Sequence, residues 1–308
     1  LALTLPGDTD MQPDLVWIKA RDAAEQHPVF DAIRTATNYM LTNGTNANYA
    51  EADTLLSFNS DGFTVGADDK VNADTKLYVA WNWKAGTTSG IAGSPSITPS
   101  SYSFNATSGF SIIAYTGNST AGATLPHGLG VAPEMIFGKK VNGTDGWGVF
   151  HASMDATAPE DYNLFLNTDA ARADSPMWND TPPTSTLFSL GSGGDINSSS
   201  NTYIAYCFAE KQGFSKFGSY EGSGNADGQF VFTGFRPAWI MTKSVDSTSA
   251  WHIFDNKREG YNVDNDPLVA DATTVEATTD MIDIVSNGFK FRIATDPNVA
   301  ETYIYAAF

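Results

Sequence analysis

Cys207 is the only cysteine in the chain, and it stands between Tyr206 and Phe208 in the apolar run Thr202 to Phe208. A thiol attacks as its thiolate, and apolar surroundings keep it protonated. Cys207 therefore reads as a small core residue, and a lone cysteine excludes an intramolecular disulfide. The four histidines, His27, His127, His151 and His252, show no metal-ligand spacing with one another or with the cysteine. Two stretches repeat a charged pair, Phe-Asp-x-x-Arg, at Phe30 to Arg34 and Phe254 to Arg258. A third, from Phe150, carries His151 in the Asp position. Such a pair can clamp a ligand, but its recurrence favours a structural ion pair that one copy has lost.

Carboxylates number 35, and no spacing singles out two of them as a glycosidase pair. The acidic stretches "ADD" (67–69) and "DNDP" (264–267) lack the ordered ligand pattern of a calcium loop. There is no phosphate-binding glycine loop, no dinucleotide fingerprint and no Gly-x-Ser-x-Gly elbow. The expectation is a protein with no catalytic residues, no cofactor and no metal site, hence not an enzyme. Among the aromatics, Trp17, Trp81 and Trp239 fall in strand patterns and read as core. Trp147 and Trp251 each precede a repeated Phe by three residues and read as scaffold. Tyr49, in "NGTNANY", and Trp178, in "DSPMWNDTPPTST" (174–186), are left as the candidate exposed surface contacts.

The elements that would carry these residues recur. Pro13, Pro133 and Pro237 each lead an apolar strand that reaches a Lys six residues later, at Lys19, Lys139 and Lys243. Each is followed seventeen residues on by a Phe, at Phe30, Phe150 and Phe254. A turn and strand follow, "SDGFTV" (60–65) and "SNGFKF" (286–291), with "LFSLGSGG" (187–194) as a weaker counterpart. Each copy closes on a related strand, "LYVAWNW" (77–83), "TYIAYCF" (202–208) and "TYIYAAF" (302–308). Two connectors, from Gly109 and from Gly213, open on Gly-Phe-Ser and run 23 residues from that Phe to the next Pro. Before Pro13 the connector is cut short. Partner strands upstream of Leu1, or from a neighbouring chain, are expected there. The start also lacks a signal-peptide pattern and an initiator Met, which suggests a trimmed product or a segment of a longer chain.

Runs of β-branched and aromatic residues between Asn-Gly, Asp-Gly and Gly-Ser turns predict an all-β protein of three tandem related β-sandwich units, lectin-like in class. The expected boundaries are 1–100, 101–212 and 213–308, with a Ser/Gly/Pro linker at 87–103 and one short helix within 20–36. In the Pro-led strand, Leu15, Trp17 and Lys19 share one face, and Val16 and Ile18 the other. Both faces are apolar, with the Lys placed to reach solvent. A strand apolar on both faces is central, or its outer face meets another domain or subunit.

Seventeen basic residues against 35 acidic ones leave a net charge of −18. That surface repels nucleic acid and anionic membranes. No apolar run is long enough to insert in a membrane as a helix.

The segments Pro13 to Lys19, Phe30 to Arg34, Leu55 to Gly66 and Tyr78 to Gly86, with the connector "YTGNSTAGATLPHGLGVAPEMI", together resemble an uncharacterised repeated β domain of tailed-phage structural proteins, many of them marine. The resemblance is strongest in the first copy. It implies a non-enzymatic virion protein, as tail fibre, spike or capsid decoration, with other virion proteins as partners. A homo-oligomer, a trimer by preference, and adhesion to a host-surface glycan are the further expectations. The alternative is a secreted carbohydrate-binding module or polysaccharide depolymerase, supported by aromatic content and abundant acids.

Overall fold

The computed structural model describes residues 1–258, 262 and 266–308. Asp264 and Asn265 of "DNDP" lie outside them. The first segment holds β1 (Ala2–Leu3), β2 (Leu15–Ala20), β3 (Pro28–Asp31), β4 (Asn38–Leu41), β5 (Tyr49–Ala50), β6 (Leu55–Asn59), β7 (Gly62–Val65), α1 (Asp69–Asn72) and β8 (Tyr78–Trp83). The second holds β9 (Ser101–Asn105), β10 (Phe110–Thr116), β11 (Ala123–Pro126), β12 (Met135–Lys140), β13 (Trp147–His151), β14 (Tyr162–Phe165), β15 (Ala173–Asp174), β16 (Leu187–Leu190), α2 (Gly194–Asn197) and β17 (Thr202–Phe208). The third holds β18 (Lys216–Glu221), β19 (Phe230–Phe232), β20 (Trp239–Ser244), β21 (His252–Asp255), β22 (Leu268–Val269), β23 (Ile282–Val285), β24 (Gly288–Phe291) and β25 (Thr302–Ala307). The protein is all-β, built of antiparallel sheets packed as sandwiches.

Three large sheets share one internal order. The Pro-led strand lies between the Phe-bearing strand and the closing strand, as β3-β2-β8, β13-β12-β17 and β21-β20-β25. A connector strand flanks the closing strand in two of them, β10 beside β17 and β18 beside β25. Each large sheet covers a small one, β1-β7-β6, β11-β16 or β19-β24-β23. The Asp-Gly and Asn-Gly turns form hairpins β6–β7 and β23–β24. Their glycines are required by close approach: a Cβ on Gly62 would lie 2.0 Å from the Leu3 carbonyl oxygen, and one on Gly288 2.0 Å from that of Val231.

The two-faced strands have a simple explanation. Val16 and Ile18, Ile136, and Ile240 each face their own small sheet. Leu15 and Trp17, Met135 and Phe137, and Trp239 and Met241 all enter a single central core shared by the three large sheets. The outer faces thus meet one another within the chain. At the middle stand the equivalent last rings of the closing segments. Trp83 and Phe208 are 6.2 Å apart between centroids, Trp83 and Phe308 5.7 Å, and Phe208 and Phe308 6.0 Å, all edge to face. Edge-to-face packing suits the ring quadrupole, and each buried side chain of this size contributes about 1.5–3 kcal/mol by leaving water.

Several expectations change. Residues 20–36 form no helix: Pro28 opens β3, and its pairing with β2 outweighs the local helix propensity of Ala23, Ala24 and Glu25. The stretch 87–103 is no free linker, because Thr87 bridges Phe104 and Ile97 is buried and hydrogen-bonds to Thr124. The 174–186 insertion folds a 3-10 turn, Pro176–Trp178, inward, and Gly191 N bonds to Met177 O at 2.7 Å. Gly66 N bonds to Thr54 O at the same 2.7 Å beside β6, so the insertion takes the place of the third strand that the second small sheet lacks. The Gly-Phe-Ser connectors are out of step by one residue. Phe110 lies within β10, whereas Phe214 precedes β18 and is 48% exposed.

Candidate functional site

The residues that drew attention as chemistry converge on the seams between the three sheets. Arg34 Nε donates to Asp31 Oδ2 at 2.5 Å, and Arg258 Nε to Asp255 Oδ2 at 2.7 Å. Each Asp also caps its own turn, accepting from the backbone N of Ile33 and of Lys257, both at 3.0 Å. The free face of each carboxylate reaches into the next sheet. Tyr206 Oη on β17 donates to Asp31 Oδ2 at 2.7 Å, and Trp81 Nε1 on β8 donates to Asp255 Oδ2 at 3.1 Å. Tyr206 and Trp81 occupy the same position of the closing strand, three residues after its Tyr. In β25 that position is Ala306, which has no donor to offer.

His151 fills this gap. Its Nδ1 accepts from Ser153 N at 3.1 Å, as the Asp oxygens do, and its Nε2 donates to the backbone carbonyl of Tyr305 at 3.1 Å. These partners assign the neutral tautomer, and burial pulls the imidazole down to about 4. Where the facing strand offers a donor the seam carries Asp, and where it offers only a carbonyl the seam carries His.

A second ring of contacts runs in the same sense. Trp147 Nε1 donates to Leu41 O at 2.8 Å, Trp251 Nε1 to Phe165 O at 3.0 Å, and His27 Nδ1 to Ala270 O at 3.3 Å. The Lys of each Pro-led strand lies beside these bonds and is fully buried, so none reaches solvent as expected. Lys139 Nζ donates to Thr45 O at 3.2 Å, Lys19 Nζ to Thr274 O at 3.0 Å, and Lys243 Nζ to Ser244 O at 2.6 Å. Burial pulls Lys19 down to about 7, against the pull of Asp271, and Lys139 and Lys243 down to about 8. Lys19 Nζ also donates to His27 Nε2, and Lys139 Nζ also to Lys140 O at 3.0 Å.

The remaining candidates are structural too. Burial pushes the Cys207 thiol up to about 12. Asp68 caps α1 through Lys70 N at 2.9 Å and pairs with Lys70 Nζ at 3.1 Å, so a lysine occupies the "ADD" stretch. Among the described residues no group of three or more His, Cys, Asp or Glu side chains is placed to hold a metal ion. Trp178 is buried rather than exposed, edge to face with Phe150 at 5.9 Å. Tyr49 is half-buried and stacks on Tyr39 at 5.1 Å.

A concave feature lies beside the Trp81–Asp255 seam. A groove of about 740 Å³ runs beside β8, between residues 3–11 on one side and Phe214, Trp239 and Phe308 on the other. Its floor is apolar, with Trp81 and Trp83 upon it. Two polar atoms that line it, Asn82 Oδ1 and Trp239 Nε1, are buried without a hydrogen-bond partner. The shortened connector before Pro13 signalled this place in the sequence: among the described residues β8 pairs with β2 alone.

Three large sheets share one central core, and polar side chains hold the seams between them. The chain belongs to the family described as a domain of unknown function, DUF7483, which matches residues 7–308 as one domain spanning all three large sheets. No curated protein and no solved structure matches the chain.

Proposed function

We propose that the protein is a non-enzymatic structural component of a tailed-phage particle, built from three copies of one sandwich unit and serving assembly or surface adhesion. The observation that carries the reading is the fate of the repeated polar residues. Asp31, Asp255 and His151, with the buried Lys19 and Lys139, are each committed to a seam. A polar position that recurs in each copy to join sheets is the mark of a scaffold. The charge of −18 keeps such a particle surface soluble and repels nucleic acid. The resemblance of the first copy to phage structural proteins supplies the setting, with other virion proteins as partners and a host glycan as the adhesion target. The apolar faces that argued for a trimer are already covered inside one chain, so assembly with partners falls to other surfaces.

Immunogold labelling of purified phage particles with antibody against the chain tests the reading, alongside reducing-end assays on a polysaccharide panel. Labelled particles and no release of sugar ends are expected. Polysaccharide hydrolysis, or absence of the chain from the particles, would overturn it in favour of a secreted carbohydrate-active protein.

A further inference from the structure

We propose that the open edge of the third small sheet pairs with the same edge of a second copy of this chain, β19 against β19, antiparallel about a two-fold axis at Val231. The inference goes beyond the virion reading and does not depend on it.

The second and third small sheets match residue by residue. Leu125 lies opposite Phe188 as Val231 lies opposite Phe289, so Thr124 corresponds to Phe230 and Pro126 to Phe232. In the first small sheet Leu3 lies opposite Phe63, which sets Ala2 at the place of Phe230. Leu125 and Val231 both turn into their own sandwich core. The flanking positions, which turn outward, differ in kind. Where the siblings carry alanine, threonine and proline, the third sheet carries two phenylalanines that are 40% and 62% exposed. Two large rings held in water on one short strand mark a contact surface.

The backbone of that strand is open as well. Phe291 N donates to Gln229 O, and Thr233 N to Asn287 O, so the odd-numbered residues turn their backbone groups toward β24. By alternation Phe230 and Phe232 present theirs to the far side, where no strand pairs with β19 among the described residues. The exposed Gln229 side chain reaches Phe230 O at 3.3 Å. In the second sheet the same edge is closed from within the chain. Ile97 N donates to Thr124 O at 3.1 Å, Thr124 N donates to Ser96 Oγ at 2.8 Å, and Pro126 has no N–H to offer. That cover comes from residues 84–109, which join β8 to β10. The corresponding join from β17 to β18 is residues 209–215, and it is spent on a turn closed by the Lys211–Ser215 bridge. An uncovered edge without proline is a template for pairing.

A second copy supplies what this edge lacks with a strand already described, since β19 is itself an open edge. Pairing it with itself is isologous. With the axis at Val231, Phe230 of each copy lies opposite Phe232 of the other. The outward N–H and C=O groups then exchange hydrogen bonds, and the rings form two cross-strand aromatic pairs. Charge permits the approach. Lys290, opposite Phe230, pairs with Asp227 at 2.7 Å, and Arg292 pairs with Asp283. Two bases thus balance two acids around the rings, in a chain whose net charge is −18. Salt screens the remaining repulsion beyond about 8 Å at physiological ionic strength. A three-residue strand makes a small interface, so the dimer is weak and concentration-dependent.

Sedimentation velocity of the 308-residue chain, from micromolar to millimolar concentration, reads the association, and amide exchange reads its place. A monomer–dimer equilibrium is expected, with exchange at the Phe230 and Phe232 amides slowing as concentration rises. Phe230→Thr and Phe232→Pro install the residues that the second sheet carries, so each should keep the circular dichroism spectrum. Each acts at both ends of the symmetric pair and should raise the dimer dissociation constant on the order of a hundredfold. Should Phe232→Pro not fold, Phe230→Thr decides alone. A chain that stays monomeric throughout the range would overturn the proposal, and so would a dimer unmoved by Phe230→Thr. Equal protection of the two amides at every concentration would overturn it too, by showing cover from within the chain. A monomer that binds a glycan array, and loses that binding in both variants, would replace the second copy with a sugar.

Discussion

At the scale of single residues, the seams show how one position can change chemical type and keep its task. Asp31 neutralises Arg34 and accepts from Tyr206. Asp31→Ala leaves the guanidinium buried and unpaired, and should cost about 3–5 kcal/mol in urea unfolding. Tyr206→Phe removes the bond its hydroxyl donates to Asp31 and the one it accepts from Arg34 at 3.1 Å, and should cost about 1.5–3 kcal/mol. A larger loss for Tyr206→Phe than for Asp31→Ala would contradict the assignment. The buried histidines give a pH signature. Burial lowers His127 and His151 to about 4, from an ordinary value of 6.5. Between those values the unfolded chain binds protons that the native chain refuses, so their contribution to stability is lost as pH falls from about 6.5 to about 4. His151→Gln should flatten part of that fall in a thermal-denaturation series, and an unchanged slope would refute it. The buried lysines have the same sign at higher pH, with stability rising from about 8 toward 10.5 as the unfolded chain gives up its protons. The Asp-x-x-Arg pairs were legible in the sequence as structural. The reason for His151 was not, because it depends on Ala306, 155 residues away and opposite it only in the folded chain.

At the scale of elements, strands and hairpins were readable wherever a turn motif bounded an apolar run, as in "SDGFTV" and "SNGFKF". The misread elements share a cause. Residues 20–36, 87–103 and 174–186 each follow what they pack against, and their local composition points elsewhere. Trp178 illustrates this: it sits among Asn, Asp and Pro in the sequence, yet it fills the place of a missing strand against Phe150. The hairpin glycines carry a prediction of their own. Gly288→Ala pushes a methyl group against the Val231 carbonyl and must displace β19 or β24. A loss of about 1–3 kcal/mol is expected, with faster amide exchange confined to the third small sheet. Unchanged exchange in β19 would show that the close approach is not obligatory.

At the scale of the whole molecule, the repeat was evident from three prolines and their fixed offsets, but the arrangement of the copies was not. A strand apolar on both faces announces a neighbour without naming it. The sequence is equally compatible with a row of sandwiches, a trimer of chains or the closed ring found here. In the ring each large sheet gives one face to a common core, and Phe208 touches rings from all three segments through Phe110, Phe137, Trp83 and Phe308. Phe208→Ala should therefore cost about 3–5 kcal/mol and weaken the whole chain together. Scanning calorimetry of the 308-residue protein tests this most directly. The account predicts a single transition whose van't Hoff enthalpy matches the calorimetric one, on the order of 200 kcal/mol, and which Phe208→Ala shifts as one. Separate transitions of about 70 kcal/mol each, with Phe208→Ala moving only one of them, would contradict it.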